Sequence, residues 1–213
     1  MSISIKEFNK YITKEFNVLN ISKPVFYNFP IAIRFELGNP KEMSEHIYMQ
    51  QVYKRSLILF EEIFNENQTF YILIHTNKDV NDKKTPRIFE KFLKNKNLKY
   101  NLSYNSLPYV YDADDKDWET SQFLLKCTKK DLYYKQLLKA IANVDTDLSP
   151  KIDFSNECYF INVEKGIIFH IYSDKGLDIV GKSTESIQEL YLNYNNWILD
   201  YDRNQIDELF TTR

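Results

Sequence analysis

Glycine, histidine and cysteine are scarce in this chain, and each shortage excludes a class of site. Only four glycines occur among 213 residues, and no two have the GxGxxG or GxxxxGK spacing of a nucleotide-binding loop. The three histidines and two cysteines are not spaced as zinc ligands are. We therefore expect no nucleotide cofactor and no bound metal ion.

The chain also lacks the features of exported and membrane proteins. Cys127 and Cys158 lie far apart, each within an apolar, strand-like run, which is typical of reduced thiols in a cytosol and not of a disulfide framework. The first residues carry charges where a signal peptide would be apolar. No apolar run is long enough to span a bilayer. We expect a soluble, cytoplasmic protein that does not engage a membrane.

The chain has no large excess of charge of either sign, whereas aromatic residues are abundant. The formal net charge is −2 and the basic residues are dispersed, so a nucleic-acid partner is not expected. Aromatic residues make up 15% of the chain, with 16 Tyr and 15 Phe. Such a composition predicts an aromatic core or contact surface, although an AT-rich genome produces the same bias without functional meaning.

The periodicities predict an α+β fold with a mixed sheet and flanking helices. Residues 31–37 alternate as a strand, residues 44–64 carry an apolar helical stripe, and residues 70–74 form a continuous apolar strand. Further strands are expected over residues 98–104 and 122–128, and a helix over residues 131–143. We interpret residues 1–213 as a single domain, with possible sub-units at 1–105 and 120–213.

The C-terminal part shows the clearest organisation. Two sequences of the form acidic residue, Lys, Gly end at Gly166 and Gly176, where a hairpin needs positive φ. They predict a three-stranded antiparallel meander, followed by a helix that Ser183 or Thr184 caps. We expect this unit to pack against the upstream sheet, with Trp197 largely buried.

Five segments of the sequence resemble those of a bacterial family known as domain of unknown function 3885. In chain order the segments are PIAIRFEL, QLLKAIAN, CYFIN, IIFHIYSDKGLDI and YNNWILDYDR. The chain departs from the family pattern at Ser173, Lys175 and Asn196. The resemblance supplies no established reaction, cofactor or partner, and an Asp expected before Trp197 is absent.

Catalytic candidates lie around the meander. His170 shares a strand face with Ile168 and Tyr172, and Asp174 or Asp178 could tune it as a general base. The alternative is a hydrogen-bonded histidine within the sheet. His75, after a buried strand, is a weaker candidate of the same kind.

The stretch from Trp197 to Arg203 concentrates Asp200, Asp202 and Arg203. Paired carboxylates beside an Arg can perform acid–base work or hold a cationic partner. The structural alternative makes Asp202 the N-cap of the last helix, with Gln205 completing a capping box, while Asp200 and Arg203 pair with neighbours.

A second candidate surface is an acidic and aromatic loop. It offers the binding residues Tyr109, Tyr111, Asp112, Asp114, Asp115, Asp117 and Trp118. The spacing fails as a calcium loop, because position 6 counted from Asp112 is Asp117 instead of Gly. The loop is either solvated surface or an exposed patch for a partner.

No complete catalytic constellation emerges from these residues. We therefore interpret the chain as a cytoplasmic protein-binding or interaction protein, in its most specific form an immunity or accessory protein that neutralises a partner. The alternative is a small hydrolase or transferase with a His/Asp site around the meander.

Overall fold

The structure is a computed structural model that describes residues 4–82 and 86–211. Its α-helices are α1 (Ile5–Phe16), α2 (Val25–Asn28), α3 (Glu45–Ile63), α4 (Ile88–Phe92), α5 (Tyr134–Ala142), α6 (Thr184–Asn193) and α7 (Arg203–Thr211). Its strands are β1 (Ala32–Glu36), β2 (Phe70–Asp79), β3 (Ser103–Pro108), β4 (Trp118–Cys127), β5 (Asn156–Asn162), β6 (Ile167–Ser173) and β7 (Gly176–Gly181). Short 3₁₀ segments link several of these elements.

One seven-stranded sheet, in the order β1-β7-β6-β5-β2-β4-β3, organises the described chain. The α+β class is confirmed. The expectation of a mixed sheet is corrected, because every described strand pairing is antiparallel. Strands β1 and β2 of the first half each pair with a strand of the meander. The division into one domain or two sub-units stays a prediction.

Local sequence explains where the first helix begins and ends. The Ser4 hydroxyl accepts from the backbone N–H of Glu7, and the Glu7 carboxylate accepts from the backbone N–H of Ser4, so the capping box is complete. The helix ends at Asn17, which has φ of 56°. Asn tolerates this left-handed conformation better than most residues.

The meander formed by β5, β6 and β7 is confirmed, but its two turns use glycine differently. Gly166 has φ of +65°, as the hairpin argument predicts. Gly176 is not in that region, so the expectation of positive φ is wrong there. A Cβ at Gly176 would lie 2.0 Å from the Tyr172 hydroxyl oxygen and 3.0 Å from the Phe35 carbonyl oxygen. Close packing between strands therefore favours glycine here, because a larger residue would displace the Tyr172 side chain.

One face of the sheet is an aromatic core. Phe60 of α3 is fully buried, and its ring centroid lies 5.1 Å from that of Phe160 and 5.4 Å from that of Phe169. Phe64 stacks on Phe60 at 4.5 Å. Helix α5 packs beside α3 and over β6. The apolar stripes of these two helices therefore cover one side of the sheet.

The N-terminal segment covers the opposite face. Phe8 of α1 packs against Tyr71 of β2, with centroids 5.5 Å apart. The side-chain amide of Asn9 donates to Gln122 Oε1 at 3.1 Å. Further along, the backbone N–H of Phe26 in α2 donates to Asp178 Oδ2 at 3.0 Å. These contacts combine apolar packing with hydrogen bonds from the helices to the sheet.

Two stretches between β2 and α5 differ from expectation. The predicted strand over residues 98–104 is mostly the 3₁₀ segment Lys96–Asn101, and the strand β3 begins at Ser103. Strands β2 and β4 extend beyond the apolar runs and pair as far as Asp79 and Trp118. Polar pairs lengthen this antiparallel ladder because cross-strand hydrogen bonds, and not hydrophobicity alone, determine where a ladder ends.

The C-terminal segment returns to the first strand. Ile198 bridges Phe35, and the backbone N–H of Leu199 donates to the Arg34 carbonyl oxygen at 2.9 Å. Ile187 and Leu190 of α6 are buried. Trp197, expected from the sequence to be largely buried, is half-buried and lies under the Arg55 guanidinium at 5.2 Å. In the described part of the chain, no helix is both long and apolar enough to cross a membrane.

Candidate functional site

A row of polar side chains crosses the sheet from β1 to β4, on the face that α1 and α2 cover. Strand register places Arg34 opposite Asp178, Asp178 opposite His170, His75 opposite Glu157, and His75 also opposite Gln122. Directly opposed residues of antiparallel strands share one face. We call these six residues the polar row: Arg34, Asp178, His170, Glu157, His75 and Gln122.

Arg34 anchors one end of the polar row. Its Nε lies 2.7 Å from Asp178 Oδ1 and its Nη2 lies 3.1 Å from Asp178 Oδ2, which is a bidentate pair. Its Nη1 lies 3.4 Å from Asp202 Oδ2. Burial disfavours the charged guanidinium, but the hydrogen bonds and charge of Asp178 outweigh it and raise the pKa of Arg34 above its usual range.

Asp202 lies near the C-terminal end of the chain, but its side chain contacts Tyr27 and Arg34 near the N-terminal end. The Tyr27 hydroxyl donates to Asp202 Oδ1 at 2.9 Å, and the ring of Tyr27 lies 4.8 Å below the Arg34 guanidinium. The carboxylate of Asp202 is thus occupied by Tyr27 and Arg34. The expectation that the Asp202 side chain caps α7 is corrected. Its carboxylate instead joins the C-terminal segment to Arg34 of β1 and to Tyr27.

Glu157 is the centre of the polar row, and four side chains converge on it. The hydroxyl groups of Tyr111 and Tyr159 both donate to its carboxylate. Asn77 Nδ2 lies 3.3 Å and Lys23 Nζ 3.4 Å from Glu157 Oε1. Burial alone would raise the pKa of Glu157, but Lys23 and the two tyrosine hydroxyls lower it below its usual range. The buried carboxylate is therefore held in its charged form.

The two buried histidines lie on either side of Tyr159. The His170 ring stacks on Tyr159 at 4.5 Å, and the His75 ring meets it edge-on at 5.3 Å. Burial lowers the pKa of both imidazoles to about 4, so both are neutral near pH 7. Within the described residues, Nδ1 of each ring is buried and has no hydrogen-bond partner.

The tautomer of His75 follows from its neighbours. The Oε1 atom of Gln122 accepts from Asn9 at 3.1 Å and from Asn105 at 3.5 Å, so the amide nitrogen of Gln122 faces His75 Nε2 at 3.0 Å. An amide nitrogen only donates, and Nε2 must then accept. The proton of neutral His75 therefore resides on Nδ1.

An open cleft of about 620 Å³ lies outside Glu157. Its wall includes Tyr109, Tyr111 and Trp118, with the Tyr109 ring centroid 5.4 Å from that of Tyr111 and 5.7 Å from that of Trp118. The cleft is also lined by Lys23, Lys78, Asp79, Asp82, Asp153, Phe154 and Glu157. We call it the aromatic cleft.

A smaller pocket of about 230 Å³ adjoins the aromatic cleft. Lys23, Phe154 and Glu157 line both spaces. His170 lines only the smaller one, which also contains Asp145, Asn156, Tyr172 and apolar side chains from α5 and its flanks. We call it the inner pocket. The cleft and the pocket together bring solvent-reachable space to the middle of the polar row.

The candidate catalytic residues do not converge on one site. His170 lines the inner pocket and Asp178 is its partner across the strands, but Asp178 is bound by Arg34. Asp174 accepts from the Tyr48 hydroxyl at 3.1 Å. Asp200 is exposed and pairs with Arg203 at 3.2 Å, as the structural alternative for that stretch expects.

The candidate binding residues divide into two groups. Tyr109, Tyr111 and Trp118 line the aromatic cleft. The aspartates of the same loop, Asp112, Asp114, Asp115 and Asp117, are not part of the cleft lining. Asp112 Oδ1 accepts from the backbone N–H of Asp114 at 3.1 Å, and Asp115 Oδ1 accepts from that of Asp117 at 3.0 Å. These two carboxylates therefore stabilise the turn locally.

Sequence reasoning missed Glu157 and Lys23. Glu157 had a visible signal, because it is the one charged residue at the start of the apolar run ECYFIN, and it shares a strand face with Tyr159. Lys23 had none, since it belongs to the turn-rich segment between α1 and α2. Within residues 4–82 and 86–211, no group of three or more His, Cys, Asp or Glu side chains is arranged to hold a metal ion.

Comparisons with known proteins confirm the resemblance. The model of the family described as Domain of unknown function (DUF3885) matches residues 8–202. The chain is similar to the uncharacterized protein YnaE of Bacillus subtilis (strain 168), with 29% identity over 206 residues that cover 90% of this chain and 96% of the relative. No solved structure matches the chain.

Proposed function

This chain belongs to the family Domain of unknown function (DUF3885), and on that premise we propose that it is a protein-binding protein. The aromatic cleft receives a basic segment of a protein partner. The observation that carries this proposal is the meeting of Tyr109, Tyr111 and Trp118 around a solvent-reachable cleft that ends on Glu157.

Aromatic anchors of this kind suit protein recognition. Trp118 is 43% exposed and Tyr111 is 40% exposed, so both rings retain surface that a partner can bury. Tyr and Trp side chains are enriched among residues that dominate binding energy. The hydrogen bond from Tyr111 to Glu157 holds one of these rings in place, which reduces the entropy lost on binding.

The charges of the cleft favour a basic partner. Apart from Asp82, three carboxylates of the described residues line it, those of Asp79, Asp153 and Glu157, against two lysines. Glu119, which does not line the cleft, lies 3.2 Å from Lys78. The positive charge of Lys78 is therefore partly neutralised from outside the cleft. An acidic surface attracts a basic segment and raises its association rate at low ionic strength.

The alternative of a small hydrolase or transferase has weaker support. Of the proposed carboxylates, Asp174, Asp178 and Asp202 are each hydrogen-bonded elsewhere, and Asp200 is exposed. A general base and its partners must lie within hydrogen-bond reach of one reacting atom. The dispersal of these groups favours the binding function.

In its most specific form, the proposal is an immunity or accessory protein of the cytoplasm that occludes a harmful partner. The cytoplasmic location is proposed because Cys127 and Cys158 are free and buried thiols. Co-expression with the identified partner tests the immunity form. The wild-type chain should restore growth and the Trp118→Ala variant should not; equal rescue by both would contradict it.

The decisive experiment compares two variants. Tyr133→Ala is the matched control, since Tyr133 is 44% exposed and Trp118 is 43% exposed, and Tyr133 is outside the cleft lining. A partner captured by tagged wild-type protein in its native host is purified and titrated against all three proteins. Trp118→Ala should weaken binding by roughly tenfold or more, as at hot-spot residues. Tyr133→Ala should bind like the wild type.

Salt provides the second criterion. The affinity of a basic segment for this cleft should fall as ionic strength rises, because exposed charges are screened. A partner that binds Trp118→Ala as tightly as the wild type, or whose affinity does not depend on salt, would overturn the proposal.

A further inference from the structure

The inner pocket has the chemistry of a cation site, and we infer that it binds a single ammonium or guanidinium group. The inference deepens the proposed function, because a basic side chain of a segment in the aromatic cleft would reach this pocket past Glu157. A free organic amine would present the same group. Lys23, Phe154 and Glu157 line both spaces, which makes the two continuous.

Hydrogen-bond acceptors dominate the polar lining. His170 is 2% exposed, lines the pocket, and has a buried Nδ1 without a partner among the described residues. A neutral imidazole offers one nitrogen as an acceptor. Glu157 Oε2 accepts only from Tyr159 within the described chain, so one lone-pair direction of this oxygen stays available. Asp145 adds a second carboxylate.

The charge balance of the pocket also favours a cation. Its lining contains the carboxylates of Asp145 and Glu157 and a single cation, Lys23. Lys23 lies 3.4 Å from Glu157, longer than the roughly 2.7–2.9 Å of a strong charge-assisted bond. Asp145 forms no ion pair with another described residue. One negative charge of the pocket lining therefore has no ion-pair partner among the described residues.

The walls suit an alkyl stem. Ile141, Val144 and Ile152 line the pocket together with Phe154. Lysine and arginine side chains bury their methylene groups against such surfaces while the charged head finds acceptors. The volume of about 230 Å³ accommodates one side chain and excludes a folded element.

Lys23 occupies the position that an incoming cation would take. Its side chain is 47% exposed, so it can turn outward into solvent. A guanidinium offers a planar fork of donors where an ammonium is a point charge, which gives it an advantage over Lys23 at the Glu157 carboxylate. Removing Lys23 should therefore strengthen cation binding, whereas at an anion site it would weaken it.

The test uses full-length protein and n-butylguanidinium, with n-butylurea as its neutral isostere and propionate as the anion. The chain has three histidines, and His170→Gln assigns the ring signals of His170 in NMR spectra. n-Butylguanidinium titrated into the millimolar range should shift the His170 signals and leave those of exposed His46 unchanged. An equal shift with n-butylurea or propionate, or no shift at all, would overturn the inference.

Two variants show whether the inner pocket prefers a cation or an anion. Lys23→Met should tighten n-butylguanidinium binding roughly threefold, and Asp145→Asn should weaken it by a similar factor, as expected for partly exposed charges. Weaker binding by Lys23→Met would instead assign an anion site. Thermal unfolding verifies that both variants remain folded.

The variant Trp118→Ala distinguishes a failure of the cation-pocket inference from a failure of the proposed function. Trp118 lines the aromatic cleft and not the inner pocket, so Trp118→Ala should bind n-butylguanidinium like the wild type. Loss of probe binding in Trp118→Ala would contradict a separate cation pocket. Loss of partner binding alone would leave the pocket intact.

Discussion

The two faces of the central sheet are built from the same strands but are stabilised by different forces. Under α3 and α5, Phe60, Phe160 and Phe169 pack in an aromatic core. Under the N-terminal segment, the polar row runs from Arg34 to Gln122. Hydrophobic packing is non-directional and tolerates substitutions of similar volume. Buried polar groups require particular partners at particular distances.

The difference teaches where specificity and function reside. Among the described residues, no buried side-chain polar atom on the aromatic face lacks a hydrogen-bond partner, and the stability of this face follows from buried area. The polar face retains two imidazole nitrogens without partners among the described residues and adjoins both the aromatic cleft and the inner pocket. Burying polar groups without partners costs free energy, so the two unpartnered nitrogens mark the polar face as the place to look for a bound ligand. The following predictions test this contrast.

The largest effect is expected on the aromatic face. Phe60→Ala removes a fully buried ring and should lower the free energy of unfolding by about 3–5 kcal/mol. Chemical denaturation monitored by circular dichroism measures the change. Leu192→Ala on α6 is the control, since Leu192 is 61% exposed and should change stability by no more than about 0.5 kcal/mol. Similar losses in both variants would contradict the assigned core.

Removing the guanidinium of Arg34 should have the next largest effect. Arg34→Met leaves Asp178 and Asp202 without their shared cation and should destabilise the protein by about 3 kcal/mol, near the lower limit for breaking a buried pair. Replacing Asp178 and Asp202 by Asn in that background should recover part of the loss. A loss unchanged by this second step would show that packing, and not charge, determines the effect.

Acid should weaken the polar face selectively. The pKa of His75 and His170 falls from 6.5 to about 4 on folding, so the unfolded chain binds more protons between these values. Stability should therefore decrease as pH falls from 6.5 towards 4, by on the order of 1–3 kcal/mol for each histidine. The lowered pKa of Glu157 acts in the same direction at lower pH.

Denaturation at a series of pH values measures this profile. His170→Phe keeps a ring against Tyr159 but cannot titrate, so its profile should be flatter than that of the wild type between pH 6.5 and 4. His46→Gln, at an exposed position, should retain the wild-type profile. An unchanged slope in His170→Phe would exclude this residue as a source of the acid sensitivity.

The smallest expected effect is the loss of one donor to Glu157. Tyr111→Phe removes the hydroxyl that donates to this carboxylate and should cost about 1.5 kcal/mol, the lower range for a hydrogen bond to a charged group. Tyr104→Phe is the control, because among the described residues the Tyr104 hydroxyl is hydrogen-bonded to the neutral Ser121 hydroxyl alone, at 3.4 Å. Equal stability of Tyr111→Phe and wild type would remove Glu157 from the centre of the polar row.

Local patterns predicted most of the elements, and their failures have identifiable causes. The helix α3 and the meander are confirmed, since each is encoded by residues near one another in sequence. The strand expected over residues 98–104 is wrong, because Asn95 caps a 3₁₀ segment there by accepting from the N–H of Asn97. Side-chain capping overrode a weak strand pattern.

The candidate site was only partly predictable. The cluster of Tyr109, Tyr111 and Trp118 followed from composition, because all three lie within ten residues of one another. The partners of Asp202 did not, since Tyr27 and Arg34 are 175 and 168 residues away in the chain. A single sequence contains no signal that pairs residues at such separations.

The sequence by itself determined the α+β class, the hairpin at Gly166 and the aromatic character of the core, because backbone preference and hydrophobic periodicity act over a few residues. Only the tertiary structure decided that Glu157 meets Lys23 and that Arg34 pairs with Asp178. The first contact depends on how the segment between α1 and α2 packs against the sheet. The second depends on the register between β1 and β7, which are distant in sequence, and a shift of one residue would turn each of these two side chains to the other face.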